Sequence, residues 1–479
     1  MFPSRRQPGE TQQPGPANST APSQALVQSP AINLPKGGGA IRGIGEKFGA
    51  NPVTGTGSMS VPIATSPGRS GFGPQLAISY DSGAGNGPFG FGWSLPIPSI
   101  TRKTDKGLPQ YLDAEESDVF ILSGAEDLVP ELKRDSAGDW VMEHGRHVIF
   151  DEPRTVGNTT YRVRRYRPRI EGLFARIERW TNVDNPSDTH WRSISRDNIL
   201  TLYGKDENSR VADPDDPRRI FTWLICETRD DKGNAILYQY KAEDGAGVDL
   251  AQAHESNRGK PEDKQRNTNR YLKRIQYGNR ETLLTQLGNS AKRPTFLTDA
   301  QIQDAGWMFE VVFDYGEHDA DAPTPNDAGE WGHRDDPFSS YRAGFEVRTC
   351  RLCQRVLMFH HIPDLPTGEQ GYDGLVRSTD FTYSHEQDPT SARNPVYTFL
   401  RAVDQTGYQR EGAGYLKRGL PPVEFEYSRP IVQDVVEEVD AESLENLPIG
   451  LDGGVYQSID LHGEGIPGIL TEQAGAWFY

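Results

Sequence analysis

At 479 residues, with 50 Gly, 35 Pro and a hydrophobic fraction of 35%, the chain exceeds one ordinary domain and points to many turns and short strands. A formal net charge of −17, from 51 basic against 68 acidic residues, argues against nucleic acid as a partner, because phosphate contact needs a basic face. Three cysteines cannot make a disulfide framework, and no apolar run approaches the roughly 18 residues of a membrane helix.

Residues 1–38 are mostly Pro, Gln, Ser, Gly and Ala. Such a stretch cannot offset its ordering entropy by burial, so a disordered arm is expected. Its basic residues are not followed by an apolar core, so it is no Sec-type signal. The expectation is synthesis in the cytosol and secretion by another route.

Order begins near residue 39. The stretch from Gly43 to Ile100 holds two strand-like runs, at 57–63 and 74–80, followed by Gly83, Gly85, Gly87, Gly90 and Gly92 interleaved with Phe89, Phe91 and Trp93. A glycine-rich turn after a strand suggests a pyrophosphate cradle, which requires a helix opening directly behind it. Pro96 and Pro98 forbid that helix. The glycines are therefore expected to let backbone turn tightly beside aromatic rings in a β protein.

Further short strands are expected at 118–122, 128–132, 148–150, 161–166, 174–180, 198–203 and 220–228. The basic run from Arg162 to Arg169 alternates with Tyr161, Val163 and Tyr166 and reads as a strand with one solvated basic face. Asp231, Lys232, Gly233 and Asn234 form the clearest hairpin signal. Residues 242–269 are long, polar and poor in aromatic anchors, so a disordered insertion is expected. Strands resume at 271–277, 307–315, 375–383, 398–403 and 423–427. Residues 345–360, through Cys350 and Cys353, read as one long strand. Residues 431–450 read as an acidic linker.

The runs GIGEKFGANPVTGTGSMSVPI, LAISYDSGAGNGPFGFGWSLPIPSITRKTDKGLPQY and ESDVFILSGAEDLVP resemble the opening of the SpvB-type domain, and residues 331–362 extend the likeness. That domain begins the B component of insecticidal toxin complexes and the Salmonella virulence-plasmid 65 kDa B protein. The resemblance implies an all-β fold: a multi-hairpin, barrel-like SpvB-type domain over 39–430, then the incomplete first blade of an FG-GAP/VCBS-like β-propeller at 451–479. It also implies a structural role in a shell that encloses a cytotoxic partner. The implied partners are an Rhs-repeat C component and a channel-forming A component. Two alternatives stand beside it: the N-terminal part of an ADP-ribosyltransferase toxin, or a secreted host-binding β module.

No catalytic, cofactor or metal residue is expected. Cys350 and Cys353 form a CxxC without a second ligand pair, and His144 with His147, or His360 with His361, lack a converging third ligand. Asp460, His462, Glu464 and Gly468 have the spacing of a calcium loop but too few hard oxygen ligands. The resemblance makes transferase marks worth seeking. Arg377, Ser378 and Thr379 are a superficial echo of one, and Glu424, Phe425 and Glu426 spell Glu-x-Glu inside a strand pattern. Nucleophile-elbow and P-loop spacings are absent.

Overall fold

The computed structural model describes residues 45–50, 55–124, 126–172, 174–256, 258–260, 262–287, 290–364, 368, 370–387, 397–412, 414–428, 438, 440, 442, 455–461 and 467–479. The expected arm at 1–38, nearly all of the expected linker, and His462 and Glu464 lie outside them. The chain divides into two compact units, 1–426 and 427–479.

The larger unit starts with an antiparallel sheet of β1 (Lys47–Ala50), β2 (Gly57–Ile63), β3 (Leu76–Asp81) and β4 (Trp93–Ser94). Alternation decides its inner face: Val61, Ile63, Leu76 and Ile78 are buried while their neighbours are not.

Eight strands then close on themselves. They are β5 (Ser99–Arg102), β6 (Phe120–Leu122), β7 (Glu126–Pro130), β8 (Thr159–Pro168), β9 (Arg176–Asn182), β10 (Thr189–Ile194), β11 (Leu200–Tyr203) and β12 (Ile220–Arg229). Each pairs antiparallel with the next, including β11 with β12, although the short strand Arg210–Ala212 lies between those two in the chain. The ring shuts where Thr222, Trp223 and Leu224 of β12 meet Thr101, Ile100 and Ser99 of β5. Every strand contributes to one interior cluster: Ile100, Phe120, Leu128, Tyr166, Ile177, Trp191, Tyr203 and Trp223 are all buried. Phe120 and Tyr166 lie 4.9 and 4.7 Å from Trp191, ring centre to ring centre. An eight-strand barrel is just wide enough for its side chains to fill, so this one is a packed core and not a pore.

β12 is ten residues long and serves two sheets. Its end at Glu227, Thr228 and Arg229 pairs with β13 (Ala235–Ala242) across the expected hairpin. From there an antiparallel sheet runs through β14 (Arg270–Asn279), β15 (Trp307–Asp314), β16 (Arg355–Ile362), β17 (Tyr372–Tyr383), β18 (Leu400–Glu411) and β19 (Gly414–Gly419). One face of it packs on the first sheet: Val61, Ile78 and Trp93 share a core with Ile275, Tyr277, Val311, Phe313 and Met358.

Three local expectations need correction. The basic strand does not keep its arginines in solvent: Arg162 and Arg167 are exposed, but Arg164 is buried against carboxylates. The run through Cys350 and Cys353 is two strands, Val347–Thr349 and β16. Between them the backbone turns to other partners: Arg334 N–H donates to Cys350 O, Cys353 N–H to Pro88 O, and Gln354 N–H to Asp314 O. Residues 242–269, expected to be disordered, carry 3₁₀ turns at Ala253–Glu255 and Lys264–Asn267 in their described part. The buried Glu255 carboxylate pins them by accepting from Arg258, Arg266 and Arg348.

The smaller unit holds a meander of β20 (Tyr456–Ile459), β21 (Gly468–Gln473) and β22 (Ala476–Phe478).

Candidate functional site

The glycine and aromatic stretch is held by a buried ionic knot. Arg334 Nε donates to Asp336 Oδ1 at 2.8 Å, its Nη1 to Gly87 O at 2.8 Å, and its Nη2 to Asn86 Oδ1 at 2.9 Å. Asp336 also accepts from Asn86 and from the backbone and hydroxyl of Thr398, each at 2.7 Å. Those contacts hold its carboxyl below the usual range although burial pushes the other way. Gly90 has φ +91° and a Cβ there would lie 2.9 Å from Thr398 O. Gly92, at φ +80°, leaves room for the Tyr80 ring, 2.4 Å from where its Cβ would stand. Phe89 sits edge-on to Phe381 and Trp93 lies against Phe425. The tight-turn expectation therefore holds, and this stretch seats the N-terminal sheet on the main one.

A second ionic knot plugs the barrel. Arg102, Arg164 and Arg179 lie two residues along from Ile100, Tyr166 and Ile177, so they face inward with them. All three meet the loop between β5 and β6. Arg102 Nη1 donates to Asp113 and Asp118 at 2.7 Å, and Arg164 and Arg179 both pair with Glu116 and with Asp113 O. Tyr166 donates to Glu116 at 2.8 Å. Glu116 and Tyr111 in this loop have φ of +52° and +61°, a conformation that side chains adopt at some cost. Nothing in the sequence marks these arginines as inward, because the carboxylates they meet lie 11 to 63 residues away.

Among the described residues one His and acid group is close enough to hold a metal: Glu317, His318 and Asp327. Sequence reading missed it. Lys273 stands in its middle, with Nζ paired to Glu317, 3.0 Å from Asp327 Oδ1 and 2.7 Å from His318 Nε2. Lys273, together with Lys241 at 3.0 Å from Asp327, already neutralises the two carboxylates, so the group is a closed charge network.

The histidines considered from sequence do not assemble a site. His144 and His147 are exposed on a hairpin and line a surface depression of about 580 Å³ with Glu143 and Arg146. His360 and His361 point to opposite faces, as expected: His360 Nε2 meets Ser66 Oγ at 2.6 Å, while His361 bridges Glu310 at 2.8 Å and Asp373 at 2.7 Å. The hydrogen bond to Glu310, aided by Asp373, raises the His361 pKa. All three cysteines are free and buried, and burial pushes the Cys226 and Cys350 thiols up to about 12.

The echo of transferase marks also fails to converge. Arg377 stands opposite Gly407, whereas Glu424 stands opposite Ala402, whose own partner is Thr382. Five strand residues separate them, roughly 16 Å at about 3.3 Å per residue. Ser378 is buried and donates to Asp380.

The family described as Salmonella virulence plasmid 65kDa B protein, SpvB, matches residues 51–362, well over half of the chain. The chain belongs to the SpvB family. Mono(ADP-ribosyl)transferase SpvB of Salmonella typhimurium is 37% identical to it over 396 residues, 82% of this chain. This SpvB-family chain spans 58% of that relative's length. Among solved structures, TcdB2-TccC3 matches 93% of the chain with TM-score 0.68 and 31% identity, using 20% of its own length. The N-terminal domain of effector protein SpvB from Salmonella typhimurium strain LT2 matches 73% of the chain and 98% of its own length, with TM-score 0.58 and 36% identity. The barrel and the sheet that shares β12 are thus SpvB architecture, related to a toxin-complex component. Among the described residues no helix is long and apolar enough to cross a membrane.

Proposed function

We propose that the chain is a non-catalytic structural part of a Tc-type toxin assembly, helping to build the β shell that encloses a cytotoxic partner before delivery. The observation that carries this reading is the likeness to TcdB2-TccC3 over 93% of the chain. A barrel filled by its own aromatic rings and stoppered by ion pairs suits a wall element, since its interior is taken up by its own side chains. In this reading an Rhs-repeat C component completes the shell, a channel-forming A component docks on it, and residues 451–479 belong to the first blade of a β-propeller. The protein leaves the cell as part of a secreted virulence factor. Co-expression with an Rhs-repeat C component tests the proposal. A stable co-purifying complex that shields the C component's toxic segment from protease supports it; separate elution and unprotected cargo refute it.

The identity to Mono(ADP-ribosyl)transferase SpvB favours a second reading, in which this chain is the N-terminal part of such an enzyme. The sequence encoded after residue 479 separates the two: a transferase domain there supports this second reading, and a complete propeller supports the structural one.

A further inference from the structure

A row of charged residues crosses one face of the main sheet. In register, Asp314 of β15 stands opposite Arg355 of β16, Arg355 opposite Asp380 of β17, and Asp380 opposite Asp404 of β18. Residues directly opposite share a face, with Cβ atoms about 4.5–5.5 Å apart, so Asp380 and Asp404 are neighbours. That face lies away from the core shared with the first sheet, because Phe381 and Val403, one residue along, point into the core. The short strand Val423–Glu424 pairs with Val403 and Ala402, and this brings a third carboxylate, Glu424, to the same face two residues from Asp404. This strand has only two residues, with Phe425 N–H donating to Arg401 O at 2.8 Å beside it.

The charged groups around the pair do not balance it. Arg355 directs its guanidinium elsewhere: Nε donates to Asp314 Oδ2 at 2.5 Å, Nη1 to Ala320 O at 3.2 Å, and Nη2 to the carbonyls of His318 and Asp319 at 3.2 and 2.6 Å. Lys417, on β19, has its Nζ 3.4 Å from Asp321. Among the described residues no cation lies within ion-pair distance of Asp380 or Asp404. Asp380 accepts from Ser378, whose Oγ is also 3.0 Å from the Tyr408 hydroxyl. Burial, reinforced by Asp404, raises the Asp380 pKa although Ser378, Arg355 and Lys417 pull it down. Burial and Glu424 raise that of Asp404.

We propose that Asp380, Asp404 and Glu424 form an acid-tightened clasp on the strand Val423–Glu424. In mild acid a proton taken up by the pair lets one carboxyl group donate to the other, whereas two carboxylates directly opposite repel. The unfolded chain keeps the ordinary aspartate value near 3.9. The fold therefore gains local stability as pH falls through the raised folded values and loses it as pH rises through them. The two-residue strand beside Asp404 is the element with the fewest bonds to resist that repulsion, so it opens first at neutral pH.

Hydrogen exchange on the whole chain from pH 7.5 to 4.5 tests this, with each rate divided by the unstructured peptide's rate at that pH. Protection over 400–406 and 421–425 should rise about threefold or more on acidification relative to β14 and β15, since one pKa unit corresponds to tenfold. Asp404→Asn removes the repulsion, so it should be better protected than the parent at pH 7.5 and nearly flat with pH. Glu424→Gln changes an exposed side chain and should shift protection the same way by a smaller factor. The titration of His361 is common to the parent and both variants and cancels in the comparison. A parent whose protection there does not rise, or an equal rise in Asp404→Asn, overturns the proposal. If Asp404→Asn does not fold, Glu424→Gln decides: protection equal to the parent's at pH 7.5 overturns it.

Discussion

Replacing Gly90 with Val perturbs the point where the N-terminal glycine stretch crosses the main sheet. At φ +91° a Cβ is strained by about 1–2 kcal/mol, and branching at that carbon adds to it. The new atom would lie 2.9 Å from Thr398 O, 3.4 Å from Leu400 N and 3.5 Å from the Tyr383 ring. Two of those neighbours are backbone of the strand end to which Phe91 N–H donates at 2.8 Å, so they have little freedom to yield. Overpacking of this kind adds about 1–3 kcal/mol, and losing the Phe91 bond about 1 kcal/mol. The sum, about 3–6 kcal/mol, rivals the whole stability of many domains. Urea unfolding followed by tryptophan fluorescence, with soluble yield as a second measure, should show a large loss. Gly85→Ala is the control: Gly85 has no atom within 4 Å of its Cβ position and no positive φ, so its midpoint should move by less than about 0.5 kcal/mol. If Gly90→Val unfolds at the parent's midpoint, the tight-turn account is wrong.

The barrel plug offers a second test. Glu116→Ala leaves Arg164, Arg179 and the Tyr166 hydroxyl without their shared acceptor, and should lower stability by about 3–5 kcal/mol in urea melts; a loss under about 1 kcal/mol would show that the plug is not a fastening. His361 has a raised folded pKa, so its contribution is complete below its unfolded value, near 6.5, and is lost as pH rises through the folded value. A neutral imidazole carries one N–H and cannot donate to both Glu310 and Asp373. The parent should therefore lose stability as pH rises above about 6.5 relative to His361→Gln, and equal pH profiles would contradict the bridge. The three buried cysteines should ignore a thiol reagent at pH 8 in the native state and yield three equivalents on unfolding; fast native labelling would place a thiol at the surface.

Local backbone chemistry was readable from the chain. Asp231 to Asn234 closes the β12–β13 hairpin because Gly233 takes φ +88° and Asp230 accepts from the backbone of Lys232 and Asn234. The absence of a helix after Trp93 followed from Pro96 and Pro98. The loop at 242–269 was misread because its charges look solvated in one dimension, whereas Glu255 finds Arg348 from 93 residues away. The metal-like group around Lys273 went unnoticed for the same reason, since Lys273 lies 44 residues from Glu317.

Sequence by itself determined the strand-and-turn character of this protein, its family likeness and the tight glycine turns, because alternation, proline and positive φ act between near neighbours. Only the tertiary structure decided that eight strands close into a barrel and that three arginines turn inward to be stoppered by one acidic loop. Closure rests on Thr222 meeting Thr101, and neutralisation on Glu116 meeting Arg164 and Arg179. Such pairings are set by packing across long stretches of chain, where the energy of a buried charge depends on what folds against it.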